Sequence, residues 1–161
     1  MDQTDIRILD CLQSDATLAV SEIAKRVGLS TSPCWNRIQR LESTGVIQSR
    51  VALLDPKSLN VGVTAFVSIR TSNHNAAWFE KFSSSLSSFP EVVEFYRMSG
   101  DIDYLLRVVV PDIASYDAFY KRLIEEVDLQ DVSSSFAMEE IKYTTALPLD
   151  YVETDQASKR S

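Results

Sequence analysis

The stretch VGLSTSPCWNRIQRLESTG, residues 27–45, contains the signals that decide the fold of the first part of the chain. Gly28 supplies the left-handed residue that commonly ends a helix, and Ser30 is a good N-cap for the next one. Gly45 then closes the pattern about four turns later. The stretch therefore predicts the end of one helix, a tight turn, and a second helix.

This second helix has two contrasting faces when its residues are projected at about 100° each. Cys34, Ile38 and Leu41 fall together and form an apolar face that should pack against a core. The other face and its flanks carry Ser32, Trp35, Asn36, Arg37, Gln39 and Arg40. The helix is thus expected to be buried on one side and to present hydrogen-bonding groups on the other.

The preceding segments supply two shorter helices. DQTDIRILDCLQSD, residues 2–15, and AVSEIAKRVG, residues 19–28, both place apolar residues at spacings of three and four. Two helices joined by a glycine turn, the second with a polar outer face, are typical of a helix-turn-helix that reads the major groove of double-stranded DNA. A plain solvated helix face is the alternative interpretation.

The residues after Gly45 alternate from about Val46 to Leu54, which predicts the strand of a winged helix-turn-helix. Arg50 on this strand is a candidate phosphate contact. The predicted DNA-binding residues are Ser30, Ser32, Trp35, Asn36, Arg37, Gln39, Arg40 and Arg50.

Charge is distributed unevenly along the chain. The net charge of the whole chain is -7, which disfavours a generic nucleic-acid binder, but residues 1–50 carry six acids and six bases. Residues 51–161 carry 17 acids and 10 bases, and residues 25–50 alone have an excess of +4. The split favours two modules with different partners, of which only the first suits DNA.

The second module has the element order βαββαβ, which predicts a ferredoxin-like fold within an α+β protein. Strands are expected at 63–71, 92–98, 103–110 and 132–145, with helices at 75–89 and over IASYDAFYKRLIEEV. Phe66 would point away from Val63, Ala65, Val67 and Ile69 and stay exposed on a lone sheet, so we expect sheet-to-sheet dimerisation. The predicted division is 1–50 helix-turn-helix, 51–62 strand and linker, 63–149 ferredoxin-like domain, and 150–161 polar tail.

The sequence lacks the signals of several other protein classes. No apolar run approaches the roughly 18 residues of a membrane span, and the acidic N-terminus differs from a secretory signal, so a cytoplasmic protein is expected. Cys11 and Cys34 are interpreted as buried thiols, and we expect no metal or cofactor. With no Gly-rich phosphate loop, HExxH or GxSxG, the chain is not expected to be an enzyme. A sheet-dimer enzyme or small-molecule binding protein with a non-DNA-binding helical domain is the alternative.

Five segments together resemble the Lrp/AsnC (feast/famine) transcriptional regulators over about residues 1–150. They are DIRILDCLQSD, KRVGLSTSPCWNRIQRLESTGVI, ALLDP, SGDIDYLLRV and FAMEEIKYTT. Further motifs, such as FYRMSGD and YDAFYKRL, look closest to a cysteine-responsive branch of that family. Ala19 departs from the family pattern, which often has Ser or Thr capping the second helix.

The resemblance implies a regulator of amino-acid metabolism, with dimers that assemble further, to an octamer, and bind a small amino acid between dimers, L-cysteine being ranked first. The turn in RMSGDIDYLL offers carboxylates for an α-ammonium group, although a Gly- and Asp-rich hairpin is also simply good turn chemistry. The predicted effector-binding residues are Met98, Gly100, Asp101, Asp103, Tyr104, Ser134, Ser135 and Phe136. His74, the only histidine, is expected in a surface loop.

Overall fold

The computed structural model describes residues 1–72, 75–126, 129 and 131–154. His74, Val127 and most of the polar tail lie outside the described residues. The chain divides into two compact units, one formed by Met1–Ala52 with the segment from Lys142 onwards, the other by Leu53–Ile141. The predicted division places 63–149 in one domain, whereas the described residues 142–154 group with the helical unit.

The helical unit contains α1 (Gln3–Ser14), α2 (Val20–Val27) and α3 (Thr31–Ser43). Asp2 caps α1, and its side chain accepts hydrogen bonds from the N–H groups of Thr4 and Asp5. Gly28 ends α2 at φ +74°, as the sequence predicts. Ala19 and Ser30 occupy the N-cap positions of α2 and α3, but neither side chain makes a capping hydrogen bond. The three helices bury one apolar core: Ile8, Leu9, Leu12, Ile23, Ala24, Val27, Cys34, Ile38 and Leu41.

The segment after Lys142 returns to α1 through a two-way amide contact. The Gln13 side chain donates to the carbonyl of Leu147 at 3.2 Å, and the Leu147 N–H donates to Gln13 Oε1 at 3.0 Å. Leu149, which begins a short 3-10 helix (Leu149–Tyr151), packs against the helical core. Residues 142–154 thus belong structurally to the first unit.

The second unit is the predicted βαββαβ fold, with helices on one face of an antiparallel sheet. Its elements are β1 (Val63–Arg70), α4 (Ala76–Ser88), β2 (Val92–Arg97), β3 (Tyr104–Val110), α5 (Ile113–Glu126) and β4 (Asp131–Phe136). The strand order is β2-β3-β1-β4, so the two long central strands are β3 and β1. The buried core lies between the sheet and the helices and includes Val67, Phe82, Leu106 and Phe119.

Two predictions of local structure are wrong. Residues 46–54 form no strand, so the helix-turn-helix has no wing within the single chain, and Val51 and Leu53 are exposed there. The last strand ends at Phe136 rather than at 145, and Met138 and Ile141 beyond it are exposed. Both segments alternate, but neither has a neighbouring strand to supply its ladder of hydrogen bonds. At the start of α5, Ile113 is also exposed, whereas Phe119 in the same helix is buried.

Candidate nucleic-acid interface and effector site

The outer face of α3 presents neutral polar and aromatic side chains to solvent. Ser32, Asn36 and Gln39 are exposed, and Trp35 keeps 52% of its surface exposed although it is a large apolar residue. Cys34, Ile38 and Leu41 are buried against α1 and α2, as the helical projection predicts. The helix is therefore held rigidly by one side while the other side is free to contact a partner.

The two arginines of α3 are bound to carboxylates of α1 and its cap. Arg37 Nη1 lies 2.6 Å from Asp2 Oδ2 and 2.8 Å from Asp5 Oδ1, and Arg40 Nη2 lies 2.6 Å from Asp5 Oδ2. The Asp2 N–H also donates to Asp5 Oδ2 at 3.0 Å. The helical projection places Arg40 on the face of α3 opposite its buried residues. The Arg40 side chain is indeed 56% exposed, but its guanidinium group reaches the carboxylate of Asp5.

The hydrogen bonds and ion pairs of this cluster shift the pKa values of Arg37 and Asp2 toward their charged forms. The hydrogen bonds that Arg37 donates to the carboxylates of Asp2 and Asp5 raise the pKa of its guanidinium. The pKa of Asp2 is lowered below 3.8, mainly because its carboxylate accepts the Asp5 N–H and further because Arg37 donates to it. Both groups are therefore charged at neutral pH, and the cluster of two acids and two bases is internally neutral.

Other bases of the helical unit are paired as well. Arg50 Nη2 lies 2.7 Å from Glu42 Oε1, and Arg26 pairs with Glu22 one helical turn away. Among the described residues 1–52, Arg7 and Lys25 are the bases for which the structure gives no carboxylate partner. The positive excess seen in the sequence is thus largely offset by local acids.

Neither cysteine has the character of a reactive site. Cys34 is fully buried, and burial raises the pKa of its thiol, so it stays protonated at neutral pH. Cys11 is half-buried, and both are free thiols. Cys34 serves the apolar face of α3, as predicted.

The turn between β2 and β3 is shaped by one glycine and one aspartate. Gly100 has φ +113°, where a side chain would be strained even though nothing lies near the position of its Cβ. Asp103 Oδ2 accepts the Thr71 N–H at 2.8 Å, and the Met98 N–H donates to the Asp103 carbonyl at 2.8 Å. The Asp103 carboxylate therefore ties this turn to the end of β1.

Asp101 differs from Asp103 because its carboxylate is open. Its backbone carbonyl accepts Arg70 Nε at 2.6 Å, but its exposed side chain makes no hydrogen bond or ion pair that the structure gives within the described residues. Met98, three residues earlier in the same turn, is also exposed, and a carboxylate and an apolar side chain in one turn are suited to an ammonium group that carries an apolar side chain.

The other predicted effector residues point in different directions. Tyr104 is 4% exposed and packs among Trp78, Phe79, Phe82 and Phe95, so its ring belongs to the helix-side core.

The β4 residues are also divided between the two faces of the sheet. Ser134 bonds to the Tyr116 hydroxyl beneath α5, and the Phe136 ring stands edge-on to Tyr116 at 5.0 Å. Ser135 lies opposite Phe66 on the uncovered face. Because β1 separates β4 from β3, the turn and the 134–136 segment lie on different strands of one chain.

The uncovered face of the sheet carries the exposed ring of Phe66 next to an ion pair. Phe66 is 39% exposed, as predicted, and opposes Arg107 on β3. Arg107 bonds to Glu94, and this contact lowers the pKa of the Glu94 carboxyl. Tyr96 donates to the other oxygen of Glu94 at 3.0 Å. Together these residues form a flat surface of mixed character with its charges already paired.

Two contacts that fix this architecture have no signal in the sequence pattern. Asp5 is buried and bound by both arginines of α3, but the sequence indicates only an acidic residue in the first turn of a helix, where it favours the helix. Gln13 reads as an ordinary exposed helix residue, but it bonds to a residue 134 positions away. No helix within the described residues is long and apolar enough to cross a membrane.

Comparison with known sequences finds matches in both units. The profile of the AsnC-type helix-turn-helix domain matches residues 1–42, and that of the Lrp/AsnC ligand binding domain matches residues 64–147. The DNA-binding transcriptional activator DecR of Escherichia coli K12 is 49% identical, over 93% of this chain and 99% of its own length.

Two solved structures are similar to this chain over more than nine tenths of its length. The crystal structure of an AsnC family transcriptional regulator from Agrobacterium tumefaciens is 66% identical, with a TM-score of 0.93 over 95% of this chain and 100% of that one. A transcriptional regulator of Neisseria meningitidis in complex with L-Met is 38% identical, with a TM-score of 0.89 over 93% of this chain and 97% of its own.

Proposed function

Because the chain belongs to the Lrp/AsnC family of transcriptional regulators, we propose that it reads a specific DNA site with α3 and is modulated by a small amino acid bound to its ferredoxin-like unit. The observation that carries the first half is the rigidly packed α3 with an exposed outer face of Ser32, Trp35, Asn36 and Gln39. In a helix-turn-helix this second helix enters the major groove.

The chemistry of that face suits base edges better than phosphates. Asn36 and Gln39 each carry an amide that donates and accepts, the arrangement that pairs with adenine N6 and N7. Trp35 offers an apolar surface for a thymine methyl group, and Ser32 a hydroxyl that can contact either kind of base. Ser30, before the helix, and Arg50, beyond it, flank this face and would contact the phosphate backbone.

For the effector, Asp101 is the residue that we propose to bind the α-ammonium group. Its carboxylate is exposed and open, and Met98 in the same turn would contact an apolar or thioether side chain of the effector. Asp103 and Gly100 hold the turn in shape rather than facing the ligand. Tyr104 supports the same turn from within the core.

The β4 residues 134–136 would complete the site from a neighbouring subunit. In a single chain they lie across β1 from the turn, so one copy does not bring all the proposed ligands together. A site shared between dimers resolves this, since the 134–136 segment of one copy can then lie close to the turn that carries Asp101 in another. Dimers joined through the uncovered sheet face, assembled further to an octamer, would supply such contacts.

The proposed effector residues and α3 belong to different units of the chain, so we propose that the effector acts by favouring one arrangement of the dimers over another. A coupling of about 1 to 3 kcal/mol changes DNA affinity about 5- to 150-fold. We rank L-cysteine first, on the likeness to DecR, and other small amino acids after it, including methionine, which the relative from Neisseria meningitidis binds. The protein would act in the cytoplasm, where such effectors and chromosomal DNA meet.

The test is binding of the full chain to DNA from upstream of its own gene and to a scrambled duplex of the same composition, at two salt concentrations. The proposal predicts tighter binding to the natural DNA, and weaker binding to both at high salt. Equal affinity for the two duplexes, or no binding at low salt, would contradict it. Thermal shift against all twenty amino acids then identifies the effector, because a ligand that binds only the folded state raises the melting temperature.

A further inference from the structure

The cluster of Asp2, Asp5, Arg37 and Arg40 contains a fully buried carboxylate. The Asp5 side chain is 1% exposed, and Asp5 is the only charged residue that is buried among the residues the structure describes. Both of its oxygens accept from guanidinium groups, at 2.8 Å from Arg37 and 2.6 Å from Arg40. A buried charge of this kind is tolerated only where partners surround it, so its geometry is strongly specified.

The contacts join the start of α1 to one side of α3. Arg37 and Arg40 are three residues apart, on neighbouring turns of α3, and one carboxylate binds both. This arrangement fixes the rotation of α3 about its own axis as well as its distance from α1. The rotation decides which side chains of α3 face outward, so Asp5 controls the surface that Ser32, Asn36 and Gln39 present.

The same contacts pair the positive charges of the two arginines of α3 with carboxylates. Arg37 is bound to two carboxylates, and the ion pair that the structure gives for Arg40 is with Asp5. Two acids and two bases leave the cluster neutral, so these arginines add little to the attraction for phosphate.

We infer that Asp5 is a positioning residue for DNA recognition, which sets the rotation of α3 and withholds Arg37 and Arg40 from the DNA. This inference rests on the proposed function. Sequence discrimination then resides in the neutral face of Ser32, Trp35, Asn36 and Gln39. Non-specific binding stays weak because the guanidinium groups of Arg37 and Arg40 are already paired with carboxylates.

Asp5→Asn tests this with a side chain of nearly the same shape. The substitution removes the charge that holds Arg40, whose guanidinium is already half exposed and becomes available to phosphate. Affinity for scrambled DNA should rise, and the slope of log affinity against log salt should steepen by about 0.9, the value of one added phosphate contact. The ratio of affinities for the natural and scrambled duplexes should fall at least tenfold.

Asp10→Asn is the matched control. Asp10 is an exposed aspartate of the same helix, and it makes one weak contact, at 3.5 Å, with Gln13. This variant adds the same charge but releases no arginine, so its salt slope and affinity ratio should equal those of the wild type. Melting curves of both variants show whether the helical unit is folded.

If Asp5→Asn does not fold, Arg40→Gln decides the matter. If Arg40 does not contact DNA in the wild type, Arg40→Gln should have the same salt slope as the wild type. If Arg40 contacts a phosphate, the slope of the variant should be lower by about 0.9. The inference is overturned by that lower slope, or by a folded Asp5→Asn whose slope and affinity ratio match those of Asp10→Asn. A wild type that does not prefer the natural duplex instead refutes the proposed function, and this inference with it.

Discussion

Replacing Phe66 by threonine should dissociate the dimer that we propose to form through the uncovered sheet face. Phe66 lies at the middle of β1 on that face, opposite Arg107 and Ser135, and is 39% exposed in the single chain. Threonine keeps the strand because β-branched residues favour it, but removes the ring. The expected loss is therefore confined to what the ring contacts in a partner.

The magnitude follows from the area still open to solvent. An aromatic side chain buries about 150 to 250 Å², so 39% of it leaves roughly 60 to 100 Å² to be covered by a partner. At about 25 cal/mol per Å² this is about 1.5 to 2.5 kcal/mol per subunit. In a two-fold symmetric dimer the ring of each subunit contributes this free energy once, and threonine keeps part of it. We therefore expect a loss of about 3 kcal/mol in the free energy of dimerisation, which makes the dimer roughly 100-fold weaker.

Sedimentation velocity over a concentration series measures this change directly. Phe79→Thr is the matched control, because Phe79 has the same side chain and is 40% exposed, but lies on α4 on the other side of the sheet. Its dissociation constant should stay at the wild-type value if the variant is folded. A Phe66→Thr protein that associates as tightly as the wild type would refute dimerisation through this face.

Two further substitutions test the charge contacts and the effector site. Asp2→Asn keeps the N-cap but removes the charge. Because folding lowers the pKa of Asp2 below 3.8, the wild type should be more stable than this variant above about pH 4, and the difference should disappear as the pH falls through the folded pKa. Thermal unfolding of both proteins against pH measures this difference. A difference in stability that does not shrink in acid would contradict the ion pair of Asp2 with Arg37. Asp101→Asn should bind DNA like the wild type in the absence of effector, but should lose the melting-temperature increase that the effector gives, and an unchanged increase would place the ammonium group elsewhere.

Periodic burial made most of the fold predictable from the sequence. The apolar spacing of residues 34–41 predicts the buried face of α3, and alternation in β1 predicts that Phe66 is exposed while Val67 is buried. These features depend on one element and one core. Such local signals remain correct whatever the neighbouring elements are.

The errors arise where the structure depends on a neighbour that the pattern does not specify. Alternation over 46–54 is compatible with a strand, but a strand needs a partner with which to form hydrogen bonds, and the single chain has none there. A helical projection gives the direction of Arg40 from its own axis, but not the position of α1, whose Asp5 binds it. The contact of Gln13 with Leu147 joins the two ends of the chain, which no local pattern reports.

Substitution of Asn36 by alanine tests most directly the claim that the neutral face of α3 reads DNA. Asn36 is exposed, and the structure gives its side chain no ion pair or hydrogen bond within the described residues. Ser84→Ala, on the exposed side of α4, serves as the control. In fluorescence anisotropy, Asn36→Ala should bind the natural duplex about 5- to 150-fold more weakly, the equivalent of about 1 to 3 kcal/mol, while its affinity for scrambled DNA and its salt slope stay those of Ser84→Ala. Equal affinity of the two variants for the natural duplex would contradict the account.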